Sequence, residues 1–184
     1  MGTTRSFDTL VLPHLDAGYN LARWLLRDEA GAEDVLQDAA LRAFRHLNTL
    51  RGESARPWFL RIVRHACYTH LTEKQGLSEL SGLDEDELEN LQMAQGLTAS
   101  DPADIVARQH EQARVDAAIR ALSPPLREVI VLREIEGLDY AEIASVAAIP
   151  IGTVMSRLSR ARDKLRAALM PQDTQDQANQ GQGE

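Results

Sequence analysis

Cysteine is almost missing from this chain of 184 residues: Cys67 stands alone. That excludes an internal disulfide and any zinc site built from several cysteines, and it fits a reducing cytoplasm. No apolar run approaches the ~20 residues that cross a bilayer, and the N-terminus lacks a signal-peptide apolar core. The expectation is a cytoplasmic protein without membrane insertion. Also missing are a glycine-rich phosphate loop, a zinc-ligand spacing and a nucleophile elbow, so neither a catalytic centre nor a cofactor is expected. His65, Cys67 and His70 do not converge on one helix face, since Cys67 lies toward the apolar side while His65 faces out. Metal binding or a hydrolase built on Cys67 is therefore a remote alternative.

Positive charge is short as well. The net charge is -8 and the pI about 5.1, which argues at first sight against nucleic acid, because phosphate binding is driven by Lys and Arg replacing counterions. The distribution reverses that reading. From Glu73 to Glu111 there are ten acidic residues against Lys74 and Arg108, so one segment carries the whole imbalance. From Ile151 to Met170 five basic residues face only Asp163, and the local field counts for more than the sum.

The pattern is helical throughout, with no strand-like alternation, and predicts an all-α chain of two small helical domains. The first covers residues 1–72. An acidic stretch, 73–104, reads as a flexible linker. A second domain covers 105–170, with helices expected over Ile105–Leu122 and Pro125–Ile135, separated at Ser123 and Pro124. The tail, 171–184, has almost no apolar content and is expected to be disordered.

Tyr140 to Arg166 reads as two short helices joined by a tight turn at Ala148 to Pro150. In the second, Ile151, Val154, Leu158, Ala161, Leu165 and Leu169 recur at helical spacing and form one stripe to be buried. Thr153, Ser156 and Arg160 occupy the other side, with Arg157 on its flank. A helix-turn-helix inserts the start of its second helix into the major groove, which places these four against bases and phosphates. A solvated basic face would explain the helix alone; the preceding helix and turn favour the DNA-reading device.

In the first domain, the segment from Pro57 to Thr72 puts Trp58, Phe59, Ile62, Val63, Ala66 and Cys67 on one side. Arg61, Arg64, His65, Tyr68 and Thr72 fall on the other. Cations beside an aromatic can hold phosphates and stack an unpaired base, the usual grip on single-stranded DNA. The preceding loop, Leu50 to Arg56, could receive a flipped-out base. Pairing of Arg61 and Arg64 with nearby carboxylates is the plainer alternative. The segment from Ala32 to Leu47 is expected to bury Val35, Leu36, Ala39, Ala40, Ala43, Phe44 and Leu47. Its outer face shows Asp34, Gln37, Asp38 and Leu41, either a solvated surface or a docking face for a basic partner.

Together these segments resemble one family, the bacterial RNA polymerase sigma factors of the extracytoplasmic-function type. AEDVLQDAALRAFRHL is similar to the segment of region 2 that docks on core polymerase, and RPWFLRIVRHACYTHL to its minus-10-reading and melting segment. LSPPLREVIVLREIEGLDYAEIASVAAIPIGTVMSRLSRARDKLR is similar to region 4.

The resemblance implies a non-enzymatic specificity subunit whose partners are core RNA polymerase, promoter DNA and an anti-sigma factor. Asp34, Gln37, Asp38 and Leu41 would bind core polymerase. Arg61, Arg64, His65 and Tyr68 would bind the minus-10 element, and Thr153, Ser156, Arg157 and Arg160 the minus-35 element. The acidic linker would thread the positively charged nucleic-acid channel of polymerase, or serve only as a tether.

Three departures stand out. His65 and Thr69 replace an Asn and an Asp usual in the family, Met155 replaces a common basic residue, and Ala148 replaces the usual turn glycine. A left-handed residue there would cost ~1–2 kcal/mol, and loss of the cation at Met155 should weaken minus-35 binding and its salt dependence. The rivals are a sigma mimic that titrates an anti-sigma factor and a stand-alone helix-turn-helix regulator.

Overall fold

A computed structural model describes residues 6–50, 54–75 and 105–170. The linker expected over 73–104 lies, beyond Gln75, outside the described residues, as do the tail and three residues of the loop before Arg56. Among the described residues all regular structure is helical, as the sequence pattern predicts.

The first half begins with a short helix, α1 (Phe7–Leu10), started by the Ser6 hydroxyl, which accepts from the Asp8 N–H. Three longer helices follow: α2 (Leu15–Leu26), α3 (Glu29–Arg45) and α4 (Ala55–Gln75). They pack around Leu21, Leu25, Val35, Ala39, Phe59 and Val63, all buried. The three helices meet at Gly18, where an added Cβ would lie 2.8 Å from the Phe59 ring and 3.0 Å from Leu36, so only glycine allows this approach. Lys74, near the end of α4, reaches back 3.1 Å to Asp28, just before α3. This hydrogen bond holds the Asp28 carboxyl below its ordinary range.

Phe44 departs from the expected core. It is 64 % exposed and sits edge-on against Phe7, with ring centroids 5.6 Å apart. At the end of α3 the chain is leaving the bundle, so a position in phase with the buried stripe has no helix above it.

The second half comprises α5 (Ile105–Ala121), α6 (Pro124–Ile130), α7 (Tyr140–Ala147) and α8 (Ile151–Leu169). Pro124 opens α6 at a position where its missing N–H costs nothing. The expected helix to Ile135 changes geometry at Val131: residues Val131–Ile135 form a π turn closed by the Glu136 N–H on the Val131 carbonyl, 3.0 Å. Gly137 then takes φ +69°, and Asp139 and Glu142 start α7 with reciprocal side-chain to backbone bonds of 2.8 and 2.9 Å. Val129, Leu132, Ile143, Val146, Val154 and Leu158 close the core. Ile151, expected in the buried stripe, is 47 % exposed because the stripe turns inward only from Val154.

The halves pack on one another. Helix α4 lies along α7, and α2 along α6 and the π turn. Among the described residues no buried side-chain nitrogen or oxygen lacks a hydrogen-bond partner.

Candidate polymerase and promoter interfaces

The chain bends by 99° between α7 and α8 across three turn residues, which is the geometry of a helix-turn-helix. Ala148 makes the turn in the left-handed region, φ 56° and ψ 43°, so the strain anticipated for a non-glycine residue is present. Its N–H and that of Ile149 both bond to the Ala144 carbonyl, tying off the end of α7. On α8, Ser156 and Arg160 are exposed and Thr153 half-buried, so these three share the outer side of the helix. The Ser156 hydroxyl donates to the Thr153 carbonyl, 3.0 Å. Arg157 leans the other way, half-buried, with its charge acting on Tyr68 of the first half.

Asp34, Gln37 and Leu41 are exposed on α3, with Asp38 half-buried among them, so the structure gathers all four on one open face. Leu41 is 56 % exposed and Phe44 extends the same face. Asp38 also holds Arg42 in an ion pair of 2.7 Å.

The four residues singled out on α4 do not share one environment. His65 is exposed, and with Arg61 it borders a cavity of about 400 Å³ lined also by Arg42, His46, Thr49, Trp58 and Ile62. Two cations, two imidazoles and an indole around a space of this size suit a planar ring carrying phosphate. Arg42 and His46 come from the end of α3, a segment that sequence periodicity assigns only to a docking face.

Arg64 and Tyr68 instead face the second half. Arg64 Nε donates to Glu128 Oε1 on α6, Tyr68 donates its hydroxyl to Glu128 Oε2 at 3.3 Å, and the Arg64 guanidinium lies 4.6 Å from the Tyr68 ring centre. Glu128 is fully buried. Burial disfavours the Arg64 cation, but the charges and hydrogen bonds of Glu128 and Tyr68 together outweigh it, and Arg64 holds its proton more tightly than a free arginine. Burial, reinforced by Glu128, pushes the Tyr68 phenol well above its ordinary range. The same two causes push the Cys67 thiol up to about 12, so it stays protonated and a poor nucleophile at neutral pH.

Further polar ties join the halves. Glu136, 7 % exposed, accepts from Arg56 at 2.7 Å and Asn20 at 3.2 Å. Arg61 donates to the Ser145 hydroxyl at 3.3 Å. Arg127, fully buried, donates to the carbonyls of Ile119, Arg120 and Leu122 around the end of α5, and to that of Trp24 in the first half. Burial, then the nearby Arg27 charge, lowers its pKa to about 10, and it remains a cation at neutral pH.

Two family descriptions match the chain: Sigma-70 region 2 over residues 10–76 and Sigma-70, region 4, over residues 112–165. The RNA polymerase sigma-H factor of Pseudomonas aeruginosa is 34% identical over 172 residues, covering 92% of this chain and 89% of that protein. The ECF RNA polymerase sigma-E factor of Escherichia coli K12 is 34% identical over 140 residues, covering 75% and 73%. Among solved structures, the sigma factor RpoE in complex with the anti-sigma factor NepR from Bartonella quintana superposes with a TM-score of 0.66 at 27% identity, covering 89% of this chain and 96% of that one. CnrH in complex with the cytosolic domain of CnrY gives 0.61 at 28% identity, covering 91% and 90%. With both halves matched in order by relatives that span nearly the whole of it, the chain belongs to the RNA polymerase sigma factors of the extracytoplasmic-function type.

Proposed function

We propose that this chain is an alternative sigma factor that binds core RNA polymerase in the cytoplasm and directs promoter-specific initiation, without itself catalysing a reaction. The observation that carries the reading is the presence in one chain of a helix-turn-helix bent by 99° and a separate helix, α4, whose cations and aromatic suit unstacked bases. The exposed face of α3 with Asp34, Gln37, Asp38 and Leu41 docks on core polymerase. Helix α8 reads the minus-35 element through Thr153, Ser156, Arg157 and Arg160. Helix α4 takes minus-10 bases through Arg61, Arg64, His65 and Tyr68, with the cavity beside His65 as the place for an extruded base. Melting then draws on binding energy alone.

Glu128 and DNA compete for the same guanidinium, because Arg64 cannot serve a phosphate while bonded to the buried carboxylate. Promoter engagement therefore requires the halves to part. One similar solved structure is a sigma factor in complex with the anti-sigma factor NepR, and another is CnrH in complex with the cytosolic domain of CnrY. A partner of that kind that held the halves together would keep Arg64 and Tyr68 from DNA.

The test is run-off transcription from genomic fragments with core polymerase, with and without this protein. New transcripts starting at defined sites are expected. Tight binding to an anti-sigma factor with no new transcript would leave instead the sigma mimic.

A further inference from the structure

Ile151 and Met155 lie one turn apart at the start of α8 and are 47 % and 55 % exposed. Single apolar residues on a surface call for no explanation. These two, however, stand on the end of the helix that a helix-turn-helix inserts into the major groove. Between them Gly152 leaves the backbone open, since a Cβ built there would meet nothing within 4 Å. The exposed surface of this end is thus graded: Ile151 and Met155 on one edge, Gly152 and Ser156 in the middle, Thr153 and Arg160 on the other edge.

In the major groove the edges of the bases offer donors, acceptors and one apolar group, the C5-methyl of thymine. Methionine, unbranched and polarizable, moulds itself to such a group without a fixed hydrogen-bond geometry. A cation at position 155 would seek a phosphate or a guanine edge instead. We propose that Ile151 and Met155 form an apolar reading edge that selects thymine C5-methyl groups in the minus-35 element.

The inference rests on α8 being the minus-35 reader. Met155 then exchanges a salt-dependent contact for a methyl contact. Specificity shifts toward thymine at the base pairs under this edge, and the salt dependence of binding falls by about one phosphate contact.

The test uses holoenzyme assembled from core polymerase and the full chain. A minus-35 element is selected from a randomised library, and its thymines are then replaced by deoxyuridine, which removes the methyl groups and keeps every hydrogen bond. Wild-type holoenzyme is expected to lose about fourfold in affinity for each methyl contacted. Met155→Ala holoenzyme should show a smaller difference between the two DNAs, the double variant Ile151→Ala, Met155→Ala should bind both alike, and Met155→Arg should bind with a steeper salt dependence and a different selected sequence.

Equal binding of both DNAs by wild type, an element without thymine, or a full deoxyuridine effect persisting in Met155→Ala would each overturn the inference alone. Failure of the holoenzyme to select any minus-35 element would overturn the sigma-type reading of α8 with it. Because Met155 is exposed, loss of folding does not confuse the comparison; circular dichroism of each variant checks this.

Discussion

Arg64 on α4 and Glu128 on α6 are bonded across the two halves of the molecule, and the carboxylate has no exposure to solvent. Removing one partner of such a buried pair strands the other and costs about 3–5 kcal/mol. Arg64→Ala should therefore open the closed arrangement and also lose minus-10 binding. Glu128→Gln should open it and keep Arg64 for DNA. Small-angle scattering should give a larger radius of gyration for both variants, with faster promoter complex formation for Glu128→Gln alone. An unchanged radius in both would show that this pair does not hold the halves together.

Alkaline pH should part the halves as well. Tyr68 keeps its proton to higher pH when buried beside Glu128 of the second half, and Cys67 keeps its proton to higher pH when buried in the folded chain, so the folded, closed form binds both protons more tightly. Its stability is complete below the ordinary thiol value of 9.0 and falls as pH rises from there, through about 12 for Cys67 and beyond the ordinary phenol value of 10.0 for Tyr68. Denaturant titrations from pH 8 to 11 should show a declining midpoint. Tyr68→Phe should flatten its contribution and remove the last phenol to ionise in the absorbance titration.

Leu41 is more than half exposed, so Leu41→Ala should change stability by less than about 0.5 kcal/mol. Its affinity for core polymerase should fall by more than about 1 kcal/mol if α3 is the docking face. Equilibrium binding to core, with a melting curve as control, separates the two effects. A loss of stability without a loss of core binding would assign Leu41 to the fold.

Ala148 holds φ 56° with no glycine to relieve it. Ala148→Gly should stabilise the chain by about 1 kcal/mol, and Ala148→Val should destabilise it by at least as much. Chemical denaturation measures both.

The helix-turn-helix was legible because its signals are local: a turn at Ala148 to Pro150 between two short helical segments, the second with a 3.6-residue apolar period. The open face of α3 carrying Asp34, Gln37, Asp38 and Leu41 was legible for the same reason. What was hidden is long-range. Arg127, Glu128 and Glu136 look in sequence like the charged face of any surface helix, and nothing local says that they lie 0–7 % exposed between two domains. Arg64 and Tyr68 were rightly put on the face of α4 opposite its core, but periodicity cannot tell a face turned to water from one turned to another domain. Phe44 failed in the opposite sense, since its phase is that of a core residue and only the end of the packing leaves it outside.

Parting of the halves, as proposed above, would give adjacent residues on α6 opposite fates. Glu128 surrenders its bonds to Arg64 and Tyr68 together. Arg127 gives up its bond to the Trp24 carbonyl and keeps those to Ile119, Arg120 and Leu122, which belong to its own half. The guanidinium thus acts as a pin that stays seated in one leaf of a hinge. The second half would then swing away as an intact body, with the end of α5 still clasped, and its return would need no refolding.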